Sequence, residues 1–153
     1  MNLYLAHHGE AVGPEVDPLR PLSAAGRQAV ERLAAEAARR GAHPAIVWHS
    51  GKLRAKQTAE AFWRACNALA EFSATRDLQP DDPPSWILDR LRAESRDVLI
   101  AGHFPHVPRL LTLLKPGAGT SAGFPLHGIV ALETLDEGET WVEHWRLDPG
   151  TPT

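Results

Sequence analysis

"LYLAHHGEA", residues 3–11, is a short apolar run that stops on two adjacent histidines, a glycine and a glutamate. Leu3–Ala6 reads as a buried strand ending at His7–Gly9. The same arrangement recurs twice: "AIVW" at 45–48 runs into His49 and Ser50, and "DVLIAGH" at 97–103 ends on His103. Apolar runs without polar alternation belong to strands covered on both faces, which is the habit of parallel sheets. Helical spacing fills the intervals. Ser23 offers an N-cap for a helix to about Arg40, with Ala29, Val30, Leu33 and Ala37 as its stripe and Gly41 as its stop. Gly26 inside it costs about 1 kcal/mol relative to Ala.

Working outward, Ala11–Leu22 reads as a loop, and Ala55, Ala59, Phe62, Cys66 and Leu69 mark a second helix. Residues 71–75 are a third strand, "QPDDPPS" is a turn-rich loop, and 85–93 a short helix. Pro105 opens a helix carrying Val107, Leu110, Leu111 and Leu114. Residues 116–126 are a Gly/Pro loop, and "GIVALETL" and "TWVEHWRL" are two strands joined by "DEGE". Strands alternating with helices predict an α/β fold. We expect one three-layer domain over residues 1–153, with a mostly parallel central sheet and helices on both faces.

Composition narrows the function. With 153 residues, 43% hydrophobic and 23% charged, the chain is an ordinary globular sequence. A net charge of −3 supplies no basic field for nucleic acid. The one cysteine, Cys66, cannot form an internal disulfide. No segment approaches the roughly 20 apolar residues of a membrane span, and the N-terminus does not read as a signal peptide. The expectation is a cytoplasmic monomer that engages neither nucleic acid nor membrane.

Ligands of such sheets sit at the carboxyl ends of the strands, where this sequence delivers His7, His8, His49, Ser50 and His103. A helix N-terminus follows Ser50, and its amides and dipole favour an anion. Arg54 lies in its first turn, where a guanidinium can fork onto phosphate oxygens, and Lys52 adds charge. Imidazoles, an arginine and a helix terminus together describe a phosphate pocket.

Three segments carry a resemblance. "LAHHGEA" resembles the L-x-R-H-G-x-A signature of the histidine phosphatase superfamily, the phosphoglycerate mutase-like enzymes. "HSGKLRAKQTAE" at 49–60 and "VLIAGHFPHVPRLL" at 98–111 resemble the segments carrying its second arginine and second histidine. "RPLSAAGRQAVERLA", "LQPDDPP" and "WRLDP" are similar to the small SixA-like phosphohistidine phosphatase branch. The resemblance implies a covalent phosphohistidine on His8, with Arg54 and His103 binding the phosphoryl group; His7, Ser50 and Lys52 are the further substrate-binding candidates read from the residues. It implies no metal and no cofactor. The implied substrate is a phosphohistidine on a protein partner, or a small phosphomonoester.

The sequence also departs from that pattern. His7 replaces the arginine before the nucleophile, and we expect it to act as a titratable stand-in that grips phosphate when protonated. Phe104 stands where the branch often has Glu, and His106 and His127 could each face the pocket or the surface. The mutase-type enzymes use a loop glutamate as general acid; here Asp81, Asp82 and Glu10 are the weak substitutes. Two rivals stay open: a phosphate- or phosphohistidine-binding module without turnover, and a zinc site drawn from His7, His8, Glu10, His103 and His106. Trp86 follows the Pro/Asp loop, which should border the pocket.

Overall fold

The computed structural model describes residues 1–116 and 123–152. Within these residues ten elements follow one another: β1 (Asn2–His7), α1 (Ala24–Arg39), β2 (Ile46–His49), α2 (Leu53–Cys66), β3 (Glu71–Ala74), α3 (Pro84–Arg92), β4 (Val98–Gly102), α4 (His106–Leu114), β5 (Ile129–Glu133) and β6 (Val142–Leu147). The sheet order is β3-β2-β4-β1-β5-β6. Pairings from β3 through β1 are parallel, and β5 and β6 are added antiparallel.

Alternation along the strands builds two cores. Tyr4, Ala6, Val47, Leu99 and Ala101 pack on Val30, Leu33 and Phe62 of α1 and α2. Leu3, Leu5, Ile46, Val98 and Ile100 pack on Ile87, Leu91, Val107 and Leu110 of α3 and α4. Hence three layers form, with a central sheet apolar on both faces. Among the described residues no helix is long and apolar enough to cross a membrane.

Ser23 caps α1 as expected, its side chain accepting from the Gly26 N–H. Leu69 corrects the second helix. It lies beyond α2 and is 97% exposed, because Asn67 turns the chain out of the helix. The Asn67 side chain accepts from the Leu69 N–H and donates to the Pro44 carbonyl, holding that exit. The Gly/Pro loop expected over 116–126 lies, for residues 117–122, outside the described residues.

Gly26 proves to be a point of close approach. A Cβ there would stand 2.1 Å from the Glu10 carbonyl oxygen, so the segment leaving β1 crosses α1 without room for a side chain. Gly26→Ala, which helix propensity alone favours by about 1 kcal/mol, should instead destabilise by about 1–3 kcal/mol. Denaturant midpoints test this; a stabilised variant contradicts the close approach.

In register, His7 stands opposite Gly102 and His49 opposite Ala101, so β1, β2 and β4 end at one edge of the sheet. The site is built there.

Candidate active site

β1 is flanked by β4 and β5, and the main chain of its last histidines is held by both neighbours. The His7 N–H donates to the Gly128 carbonyl at 2.9 Å and the His8 N–H to the Gly102 carbonyl at 3.0 Å. The Gly9 N–H donates to Thr58 Oγ1, which itself donates to the Arg54 carbonyl, tying this turn to α2. The His8 ring lies 4.4 Å from that of His7, 5.2 Å from His103 and 5.9 Å from His127.

Hydrogen-bond partners decide the proton positions. His8 Nδ1 lies 2.7 Å from the Gly9 carbonyl. A carbonyl only accepts, so Nδ1 carries the proton and Nε2 keeps a free lone pair. His7 is the reverse. Its Nδ1 accepts the His127 N–H at 2.8 Å, so Nε2 carries the proton and faces outward from that bond as a donor. His127 Nδ1 lies 2.7 Å from the His8 carbonyl and is therefore protonated too.

Burial keeps the rings of His7, His8 and His103 neutral. It pushes the His7 pKa down to about 2, with His8, His127, His103 and Arg54 adding to the effect. His8 is lowered to about 4, chiefly by burial; Arg54, His127 and Arg20 assist, while the Gly9 bond opposes. His103, 1% exposed, is lowered to about 3 by burial and then by His8, Arg54 and Lys52. The expected titration of His7 is thus corrected. A second proton would have to go onto Nδ1, against the His127 N–H that already points there, and into a buried site. His7 serves as a neutral single donor.

The other expected residues divide. Ser50 joins, its Oγ 2.6 Å from His103 Nε2, and Gln79 steadies it by donating to the Ser50 carbonyl. Arg54 joins: its Nε is buried without a hydrogen-bond partner, and burial, then Arg20, lower its pKa. Lys52 is exposed at the N-cap of α2, close enough to act on His103. His49 does not join; its ring packs on Phe72 and its Nδ1 accepts the Gly51 N–H.

Of the residues left open, His127 is in the site, its ring stacked 4.8 Å from His7, and Phe104 covers His7 at 4.1 Å. His106 is not: it is fully buried in the first turn of α4, where burial lowers its pKa against the opposing charges of Asp82 and Asp77. Asp82 accepts from the Gln79 N–H as a turn cap, Asp81 is exposed, and the Glu10 carboxylate accepts from Ser23. None of the three acid candidates therefore reaches the histidines through a bond. Trp86 is 51% exposed in the first turn of α3.

Sequence reasoning missed Arg20 and Thr58. Arg20 donates to the Val12 carbonyl, and its charge acts on both His8 and Arg54. It lies in "RPLS" and Thr58 in "KQTAE", segments noticed only for resemblance.

The zinc set read from the sequence is not assembled, since His106 and Glu10 turn elsewhere. The imidazoles that do cluster are His7, His8 and His127, with a nitrogen of each within 4.8 Å of the others. His7 has no lone pair to spare, and the positive charges of Arg54 and Arg20 already act on His8, and that of Arg54 on His7. Such a set of N–H donors and cations fits an oxyanion better than a metal ion.

Solved structures carry the same frame. The chain is similar to the protein histidine phosphatase SixA, solved in complex with tungstate: 27% identity, 97% of each chain covered, TM-score 0.85. It has the fold of the histidine phosphatases. A protein from Agrobacterium tumefaciens assigned as a phosphohistidine phosphatase SixA is 25% identical, with 97% of each chain covered and a TM-score of 0.79. Phosphoglycerate mutase from Plasmodium falciparum shares the fold at 14% identity and TM-score 0.68, over 94% of this chain and 88% of that one. No family model matches the sequence, and no curated protein matches it significantly. The histidine phosphatase resemblance read from three short segments therefore holds over nearly the whole chain in three dimensions.

Proposed function

We propose that this chain is a metal-independent phosphatase of the phosphohistidine phosphatase type, acting through a phosphohistidine on His8. The observation that carries the reading is the His8 tautomer: Nδ1–H is spent on the Gly9 carbonyl, leaving a neutral Nε2 lone pair as nucleophile. His8 Nε2 attacks phosphorus, the leaving group departs, and water then cleaves the P–N bond to release phosphate. Arg54, the Nε2–H of His7 and His103 hold the phosphoryl oxygens, Ser50 orients His103, and Lys52 draws the anion in. The substrate is a phosphohistidine on a protein, or a small phosphomonoester. A P–N bond to imidazole is labile and suits a site whose candidate carboxylates are engaged elsewhere.

One observation favours a second reading. His7 offers one neutral donor where an arginine would offer a charged fork, so the clamp is weaker than one with two guanidiniums. A binding module would take up vanadate or phosphate without turnover. The deciding assay is hydrolysis of a phosphohistidine protein and of p-nitrophenyl phosphate, with and without chelator. We expect turnover of both, unchanged by chelator.

Arg54→Ala should weaken vanadate binding by about 2–5 kcal/mol, since it removes a desolvated charge from the anion. Lys52→Ala, at an exposed position, should weaken it only slightly. Titration of both variants checks this, and equal losses would contradict the pocket.

A further inference from the structure

We propose that His127 is the acid–base residue of this site, protonating the leaving group and then deprotonating the attacking water; this deepens the phosphatase reading and rests on it. The chemistry needs a proton donor whenever the leaving atom is an alkoxide or phenoxide. The other candidates are committed. Glu10 is bonded to Ser23, Asp82 caps the Gln79 N–H, and Asp81 is exposed in the loop. His7 cannot cycle a proton without breaking its bond to the His127 N–H, and His103 Nε2 is paired with Ser50. Arg20, Arg54 and Lys52 are cations held for the anion.

His127 is placed differently. Its backbone sits at φ +56°, in the left-handed region where a side chain is uncommon. Three contacts hold it: its N–H on His7 Nδ1, its Nδ1–H on the His8 carbonyl, and its ring stacked on His7. Such constraint fixes the imidazole beside the nucleophile's main chain. Nδ1 being spent, Nε2 is the working nitrogen, and among the described residues nothing bonds to it. A nitrogen of His127 lies within 4.8 Å of one on His8 and the ring centroids are 5.9 Å apart, so the two imidazoles are close neighbours in the site. The ring is only partly buried, and with Gly9, Glu10, Gly26 and Pro149 it lines a recess of about 240 Å³ beside the turn that follows His8; the Glu10 carboxylate there accepts from Ser23.

The steps balance. In the first, the His8 Nε2 lone pair forms the N–P bond. The bond from phosphorus to the leaving atom breaks, its electron pair stays with that atom, and the atom takes the Nε2 proton of a His127 imidazolium, leaving the neutral ring with its Nδ1–H. In the second, water oxygen bonds phosphorus and the P–N bond returns its electrons to His8. The water proton passes to His127 Nε2, restoring the starting form. Nδ1–H stays on the His8 carbonyl throughout.

The test compares leaving groups in His127→Asn and His127→Gly, two residues that tolerate the left-handed backbone. Phenyl phosphate needs protonation, whereas p-nitrophenyl phosphate does not. We expect kcat/KM to fall about 10²-fold or more on phenyl phosphate and less than about 5-fold on p-nitrophenyl phosphate. Loss of the base in the second step should let phosphoenzyme build up, seen as a burst of p-nitrophenol. Added imidazole should restore phenyl phosphate hydrolysis in His127→Gly. Equal losses on both esters, or none on phenyl phosphate, would overturn the assignment while leaving the phosphatase reading intact. A parent protein silent on both esters but active on a phosphohistidine protein would overturn this assignment alone, whereas one silent on all three, or one in which His8→Ala still turns over, would fail that reading and take this one with it.

Discussion

Replacing His8 with Ala should lower kcat on the order of 10⁴-fold or more and abolish any acid-labile phosphoenzyme, with the fold retained. The substitution removes the ring proposed as nucleophile, whose Nδ1–H is spent on the Gly9 carbonyl and whose Nε2 keeps its lone pair. Little packing is lost, because His8 is partly buried and the main-chain bonds of His8 to Gly102 and of Gly9 to Thr58 do not involve the ring. Inorganic phosphate should still bind, since Arg54 and His103 remain. Acid-quenched labelling and steady-state rates measure both effects. Turnover near the parent rate would remove His8 from the reaction.

Lowering the pH from 7 to 5 should destabilise the folded chain by about 4 kcal/mol through two histidines alone. His7 and His103 are held neutral down to about 2 and 3 by burial, against an ordinary value of 6.5. Above 6.5 they are neutral whether folded or unfolded and contribute no pH dependence. Below it the unfolded chain binds protons that the folded one refuses, and each residue loses about 1.4 kcal/mol per pH unit. The loss continues until pH reaches the folded values. Against a total stability of roughly 5–15 kcal/mol, this is a large share. Urea midpoints at pH 7, 6 and 5 in phosphate-free buffer read it directly. His7→Gln, whose carbonyl can still accept the His127 N–H, should roughly halve the slope. A stability flat between pH 7 and 5 would mean the rings are not kept neutral.

Much of the frame was legible because it rests on local rules. Apolar runs marked β1, β2 and β4, and the stripe behind Ser23 marked α1 with its cap. Leu69 misled because helical spacing continues past Cys66, while the exit is set by Asn67 bonding to Pro44, 23 residues away. Gly26 looked like a small propensity cost, but its reason is the Glu10 carbonyl pressed against it. Neither contact has a local signature.

The site divides along the same line. By itself the sequence determined which chemistry-bearing residues reach the sheet edge, since His8, Ser50, Arg54 and His103 sit where strands end or a helix begins. Only the tertiary structure decided what each can do. His106 and His127 were equivalent as letters, yet one is buried beneath Asp77 and Asp82 while the other stacks on His7. His7 looked titratable, and became a neutral donor because the His127 N–H, 120 positions along the chain, points at its Nδ1. A ring's proton is placed by whatever bonds to it, and those partners come from strands and loops that only folding brings together.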